Sequence, residues 1–192
     1  GCYTDTACST GGEPLGNSLY IVNAETGAKI WSASSTTGAS LVVSDMKYSM
    51  PSQPKVLDVN SDGLADTIYV GDLGGQVFRV DINNKNTTES GGPTLVKRVR
   101  LLAQLGSTGV AAPTTQDSRR IFEPPTVAFF KDATLGSIFA TVAVGTGNRS
   151  HPLSTSPLIK DRFATVFDFD VTRTDLLSIA DTKLQNTVKY AD

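Results

Sequence analysis

Short apolar runs broken by glycine, asparagine and aspartate dominate this chain, and they read as strands rather than helices. The first clear unit is residues 17–31. Leu19-Tyr20-Ile21-Val22 predicts a strand, Glu25-Thr26-Gly27 a tight turn, and a second strand begins at Ala28. The second unit is residues 55–83. The β-branched and aromatic run Thr67 to Gly71 predicts a strand, Asp72-Leu73-Gly74-Gly75 a turn, and Gln76 to Ile82 the returning strand, with Gly74 and Gly75 supplying the positive φ that hairpin turns need. A weaker third unit is residues 138–172: Ile138 to Gly145 is a strand, Arg162 to Val171 its partner, and a Pro- and Ser-rich insertion over 146–161 lies between them. Residues 84–94 and 106–118 are polar and predict exposed loops. Alternation from Leu95 to Leu102 puts the basic cluster Lys97-Arg98-Val99-Arg100 on the wet face of a further strand. Met46 and Met50 read as ordinary packed side chains.

The units share a signature. Leu19-Tyr20-Ile21-Val22-Asn23, Val77-Phe78-Arg79-Val80-Asp81 and Val166-Phe167-Asp168-Phe169-Asp170 each set apolar positions before an Asn or Asp. Recurring hairpins of this kind predict an all-β chain organised as a partial β-propeller with long loop insertions, in preference to a β-sandwich. Closed propellers need four or more blades, and an open one exposes sheet edges, so residues 1–192 are expected to be a fragment of a single, larger propeller domain. Trp31, the only tryptophan, is expected to fill the space between blades.

Between the first two hairpins lies the stretch richest in candidate chemistry. Asp58-Val59-Asn60-Ser61-Asp62-Gly63-Leu64-Ala65-Asp66 places side-chain oxygens at alternate positions, as a loop closing around one hard cation requires. Gly63, sixth in the loop, permits a sharp turn; Leu64 offers its backbone carbonyl; Asp66, ninth, offers a carboxylate. The loop resembles an EF-hand at its start and departs from it at its end, where position twelve is Tyr69 inside a strand rather than a bidentate Glu. The expected ligands for Ca²⁺ are Asp58, Asn60, Asp62, the Leu64 carbonyl and Asp66. Mg²⁺ fits less well, since it demands octahedral geometry and keeps its waters. The alternative is a metal-free Asp/Asn/Gly turn, but three acids in nine residues repel one another without a cation.

Composition removes several function classes. The 192 residues are enough for a sizeable core, and a net charge of −2 with no basic stripe gives no support for nucleic-acid binding. No apolar run approaches the ~20 residues needed to cross a bilayer as a helix. The N-terminal residues lack the charged and apolar regions of a signal peptide, so an internal piece of a longer chain is expected. Cys2 and Cys8, the only cysteines, suit a disulfide in an oxidising compartment, with two free thiols as the alternative; with a single histidine, His151, they are too few for a soft-metal site.

Residues 55–81, Lys55 through the calcium loop to Asp81, resemble the C-terminal propeller of the PilY/PilC family. Arg120-Ile121-Phe122-Glu123-Pro124-Pro125 and Val144-Gly145-Thr146-Gly147-Asn148-Arg149-Ser150-His151-Pro152-Leu153, followed by Asp161-Arg162-Phe163, occur in the order that this family shows. The resemblance covers most of residues 11–170. It implies a type IV pilus biogenesis factor and pilus-tip adhesin, exported through the periplasm to the outer membrane or the pilus tip. It also implies one regulatory calcium site, with ligands falling on Asp58, Asn60, Asp62, Leu64 and Asp66. Minor pilins, and a host or abiotic surface, are the implied partners. Calcium occupancy in the family is tied to pilus extension against retraction, hence to twitching motility and attachment. The family often has Asp where this chain has Asn60, and losing that charge lowers the expected affinity. No Arg-Gly-Asp tripeptide occurs.

Two other functions compete. Gly27 followed by Trp31 is similar to the repeats of quinone-dependent dehydrogenases, but those need eight blades with regular tryptophans. Arg149, His151 and Asp161 make an imaginable catalytic cluster without an activated nucleophile beside it, so no enzyme is expected. A generic calcium-stabilised extracellular adhesion module shares the fold and the metal and differs only in its partners.

Overall fold

The central hairpin carries apolar side chains on both faces, and a strand pair of that kind is stable only when each face meets another layer. The computed structural model supplies both layers. It describes residues 16–83, 95–106, 119–133, 136–149, 152, 160–184 and 186–191. Cys2, Cys8 and His151 lie outside the described residues, as do the stretches 84–94 and 107–118. The chain is all-β, with three small sheets, none of them closed.

The first sheet pairs β1 (Leu19–Val22) with β2 (Lys29–Ser34) antiparallel, and β2 with the short β3 (Leu41–Val42) in parallel. The second is an antiparallel meander of β4 (Lys55–Leu57), β5 (Thr67–Gly71), β6 (Gln76–Ile82) and β7 (Val96–Gln104). The third is a second meander, β8 (Thr126–Lys131), β9 (Ile138–Gly145), β10 (Phe163–Asp168) and β11 (Asn186–Ala191). The hairpins β1–β2, β5–β6 and β9–β10 stand where the apolar runs placed them. β10 stops at Asp168, short of the expected Val171, because Ser178, Arg173 and their neighbours bend back in hydrogen-bonded turns.

Register sorts the side chains into layers. Ile68 pairs with Val80 and Val70 with Phe78, and these four face the first sheet, where Trp31, Ala33 and Met46 complete a buried cluster. Met50 packs against the same cluster. Tyr69 and Val77 face the other way, onto Ala140, Val142, Val144, Ala164 and Val166 of the third sheet. Trp31 therefore packs between sheets, as expected. The outer layers keep apolar faces in solvent: Tyr20, Val22, Ile30 and Val42 on the first sheet, Phe130 and Phe163 on the third.

The β5–β6 turn is sealed rather than exposed. Asp72 is fully buried; its Oδ1 accepts from the Gly74 N–H (2.9 Å) and the Gln76 N–H (2.8 Å), and its carbonyl accepts from Ile121 N–H (3.0 Å). Gly75 takes a positive φ of 74°, but Gly74 does not. Gly74 is needed for space instead, since a Cβ there would overlap the Tyr48 ring. The expectation of positive φ at both glycines is corrected accordingly. Ile121 N–H and the bond from Gly147 N–H to the Arg120 carbonyl (2.9 Å) join the segment after β7 to the ends of two sheets.

Burial pushes the Asp72 carboxyl up from 3.8 to about 8, against the pull of the Gln76 and Gly74 N–H groups. The Gln76 carboxamide, turned so that Nε2 donates to Asp72 Oδ2 (2.7 Å) and the Asp45 carbonyl (2.8 Å), adds a further donor to the buried carboxyl. Between the ordinary and the raised value the folded chain holds a proton that the unfolded chain has released, so stability falls as pH climbs from about 4 toward 8. Asp72→Asn keeps the Oδ1 acceptor and has no charge to bury. Thermal melts across roughly pH 5 to 8 should be flatter for the variant than for the parent. Parallel profiles would show that Asp72 is ionised in the fold.

Candidate metal centre and the charge network behind it

The loop between β4 and β5 is shaped by its own side chains. Asn and Asp carboxamides and carboxylates capture nearby backbone N–H groups, and such captures bend the chain into turns. Asp58 Oδ1 and Oδ2 accept from Asp62 N–H (3.2 Å) and Gly63 N–H (2.7 Å). Asn60 Oδ1 accepts from the same Asp62 N–H (2.9 Å), so two of the expected ligands converge on one point inside the loop. Asp62 Oδ1 accepts from Leu64 N–H (3.0 Å). Ser61 and Gly63 both sit in the left-handed region, φ 62° and 87°, which turns the chain tightly enough for these contacts.

Asp66 is the hinge between loop and sheet. Its Oδ2 accepts from Val59 N–H (2.8 Å) and Asn60 N–H (3.3 Å), tying the loop's end to its start. Its own N–H donates to the Leu57 carbonyl at the end of β4 (2.8 Å), and its carbonyl accepts from Ile82 N–H at the end of β6 (2.8 Å). Asp66 thus joins the loop, through its side chain, to the ends of β4 and β6, through its backbone.

Among the described residues no three acidic, histidine or cysteine side chains converge into a metal-holding group. The three carboxylates are turned onto backbone N–H groups instead. The donor set remains all oxygen: three carboxylates, one carboxamide and the Leu64 carbonyl on nine consecutive, largely exposed residues. That chemistry suits calcium and not a metal that prefers nitrogen or sulfur. Gathering the carboxylates on one ion means exchanging the contacts to Leu64, Val59 and Asn60 for metal–oxygen contacts, on a backbone already turned.

On the third-sheet face of the same meander lies a cluster of charge. Arg79 of β6 is wholly buried; its Nη1 reaches Asp168 of β10 at 2.7 Å and 2.8 Å, and its Nε lies 2.8 Å from Asp81 Oδ1 as an ion pair without hydrogen-bond alignment. Tyr69 OH donates to Asp168 Oδ2 (2.8 Å). Arg98 of β7 lies 3.1 Å from Asp81 and also donates to Asp181 and to the carbonyls of Leu176 and Ile179. Arg100 sits 3.6 Å from Asp170 and donates to the Leu184 carbonyl (3.1 Å). Burial lowers the Arg79 proton affinity, but Asp168 and Asp81 outweigh it and hold the group above its ordinary value. Burial raises the Tyr69 hydroxyl, and the Asp168 charge adds to that. Burial likewise raises Asp81, against Arg79 and Arg98.

This network corrects one expectation. Arg98 and Arg100 do not lie on a wet face. Arg98 is buried and Arg100 mostly so, because β7 covers the end of the inter-sheet seam and the segment after β10 folds over it. Only Lys97 of that cluster points to solvent. Of the imagined catalytic cluster, Arg149 pairs with Glu123 (3.2 Å) on the surface and Asp161 accepts from Thr146 Oγ1 (3.2 Å).

No protein-family model matches the sequence, and no curated protein matches it. Among solved structures, the chain is similar to the crystal structure of the Pseudomonas aeruginosa PilY1 C-terminal domain, with 22% identity and a TM-score of 0.46. The match covers 85% of this chain, which spans 33% of the length of that one. Among the described residues no helix is long and apolar enough to cross a membrane.

Proposed function

We propose that this chain is the calcium-binding part of a β-propeller in a type IV pilus assembly and tip-adhesion protein, and that calcium occupancy regulates pilus extension and retraction, twitching and attachment. One observation carries the reading: four oxygen-bearing side chains, Asp58, Asn60, Asp62 and Asp66, occupy one turned loop whose last residue is bonded to the ends of β4 and β6. An ion held there bears on the sheet without any relay. The resemblance of residues 55–81, 120–125, 144–153 and 161–163 to the PilY/PilC family supports the pilus assignment and the placement outside the cytoplasm. The apolar outer faces of the first and third sheets support a larger propeller, since further blades would cover them. The reading is of a non-enzymatic protein whose partners are minor pilins and a surface.

The test is genetic. With Asp62→Ala in the full-length gene, twitching zones and surface pili are expected to lose their dependence on calcium. A strain lacking the gene that keeps full motility would instead favour a generic calcium-stabilised adhesion module.

A further inference from the structure

A cleft of about 640 Å³ opens beside the calcium loop, at the end of the seam between the second and third sheets. Val59, Asn60 and Asp66 of the loop form one wall, Ile82, Asn83 and Lys97 the next, and the segment after β10 closes it with Val171, Arg173, Leu176 and Leu177. The volume lies within the roughly 300–1,000 Å³ of ligand sites. Thr67 also lines it; this residue is fully buried, and its Oγ1 has no hydrogen-bond partner. A buried hydroxyl of that kind asks for a partner that the described residues do not supply.

The lining decides what fits. Its described residues hold no aromatic ring, so they give a sugar or a base no platform to stack on. Of the two cations among the described lining residues, Arg173 is already engaged, with Nε and Nη2 both 2.8 Å from the Asp175 carboxylate. Lys97 is exposed and has no acidic partner among the described residues, which leaves one positive charge for a ligand, suited to a single carboxylate and not to a polyanion. Val171, Leu176 and Leu177 offer an apolar floor, and the Asn83 carboxamide is the side-chain amide left to meet a peptide backbone, since that of Asn60 is bonded within the loop.

We propose that this cleft binds an extended peptide segment of a partner protein, seating an apolar side chain on the floor and a carboxylate against Lys97. Calcium in the loop tightens the site by fixing the wall made by Val59, Asn60 and Asp66; this second half rests on the calcium reading above. By linkage, peptide binding raises calcium affinity by the same factor.

The test uses the full chain and arrays of acetylated octapeptides in which one position is fixed in turn as Asp, Lys, Ser or Leu, in calcium and in EGTA. The parent chain should favour Asp over Lys by about tenfold, and signal should rise about fivefold with calcium. Lys97→Glu should reverse the charge preference, which a merely structural role for an exposed lysine would not do. Leu177→Asn should weaken binding of the Leu-fixed set. No preference in the parent chain, or a preference that Lys97→Glu leaves unchanged, overturns the proposal even if calcium binds. The same preference at equal strength in EGTA supports the peptide site and overturns its link to calcium.

Discussion

Replacing Arg79 with methionine should cost about 3–5 kcal/mol of stability, the largest effect expected from a single substitution in this chain. Methionine matches the stem of arginine well enough that no large void results, so the loss reports charge. Asp168 would keep Tyr69 OH and the Asp170 N–H (3.1 Å) but lose both contacts from Nη1, inside a seam where neither residue meets water. Asp81 would retain Arg98 alone. Arg79→Lys should fail nearly as badly, because one ammonium cannot span Asp81 and Asp168 as the planar guanidinium does. The double variant Arg79→Met with Asp168→Asn should recover more than half of the loss, since the amide oxygen still accepts from Tyr69, position 168 carries no charge, and Asp81 keeps its ion pair with Arg98. Urea denaturation of the three variants near neutral pH checks this. A cost below about 1 kcal/mol for Arg79→Met would mean that the network adds nothing to the seam.

Calcium itself is expected to be the second large term. At a hundredfold excess over Kd, one ion bound only by the folded chain contributes about 2.7 kcal/mol. For a chain of this size that raises Tm by roughly 5–10 °C. The loop variants should separate ligation from turn formation. Asp62 accepts from Leu64 N–H (3.0 Å) inside the exposed loop, and Asp62→Ala should abolish the calcium shift. Asp58 holds two N–H groups and Asp66 two more, so Asp58→Ala and Asp66→Ala should lower the EGTA melting point as well. Asn60→Asp adds a fourth carboxylate and should tighten binding.

What could be read from the residues, and what could not, follows one physical line. The β5–β6 hairpin was legible because β-branched and aromatic residues run up to a glycine turn and away from it again, and the strands Thr67–Gly71 and Gln76–Ile82 begin and end there. That residues 58–66 form a turned, oxygen-rich loop was legible because Asp and Asn at alternate positions capture neighbouring N–H groups; that the carboxylates bond the backbone rather than gather on one point was not. The charge network was not legible. Alternation marks Arg79, Asp81 and Arg98 as polar positions, and it cannot tell water from a neighbouring sheet. A signal was nonetheless present: Tyr69 and Val77 put apolar side chains on the same face as Arg79 and Asp81, so a second layer covers that face and the charges on it must pair. β8 was not among the expected strands; Pro124-Pro125 lie just before its first residue, Thr126, where a strand tolerates them.

Calorimetric titration of calcium into the parent chain and into Asp62→Ala tests the metal centre most directly. The account predicts about one ion per parent chain, undiminished by millimolar magnesium, and no heat from the variant. No heat from the parent chain, or equal heats from both, would contradict it.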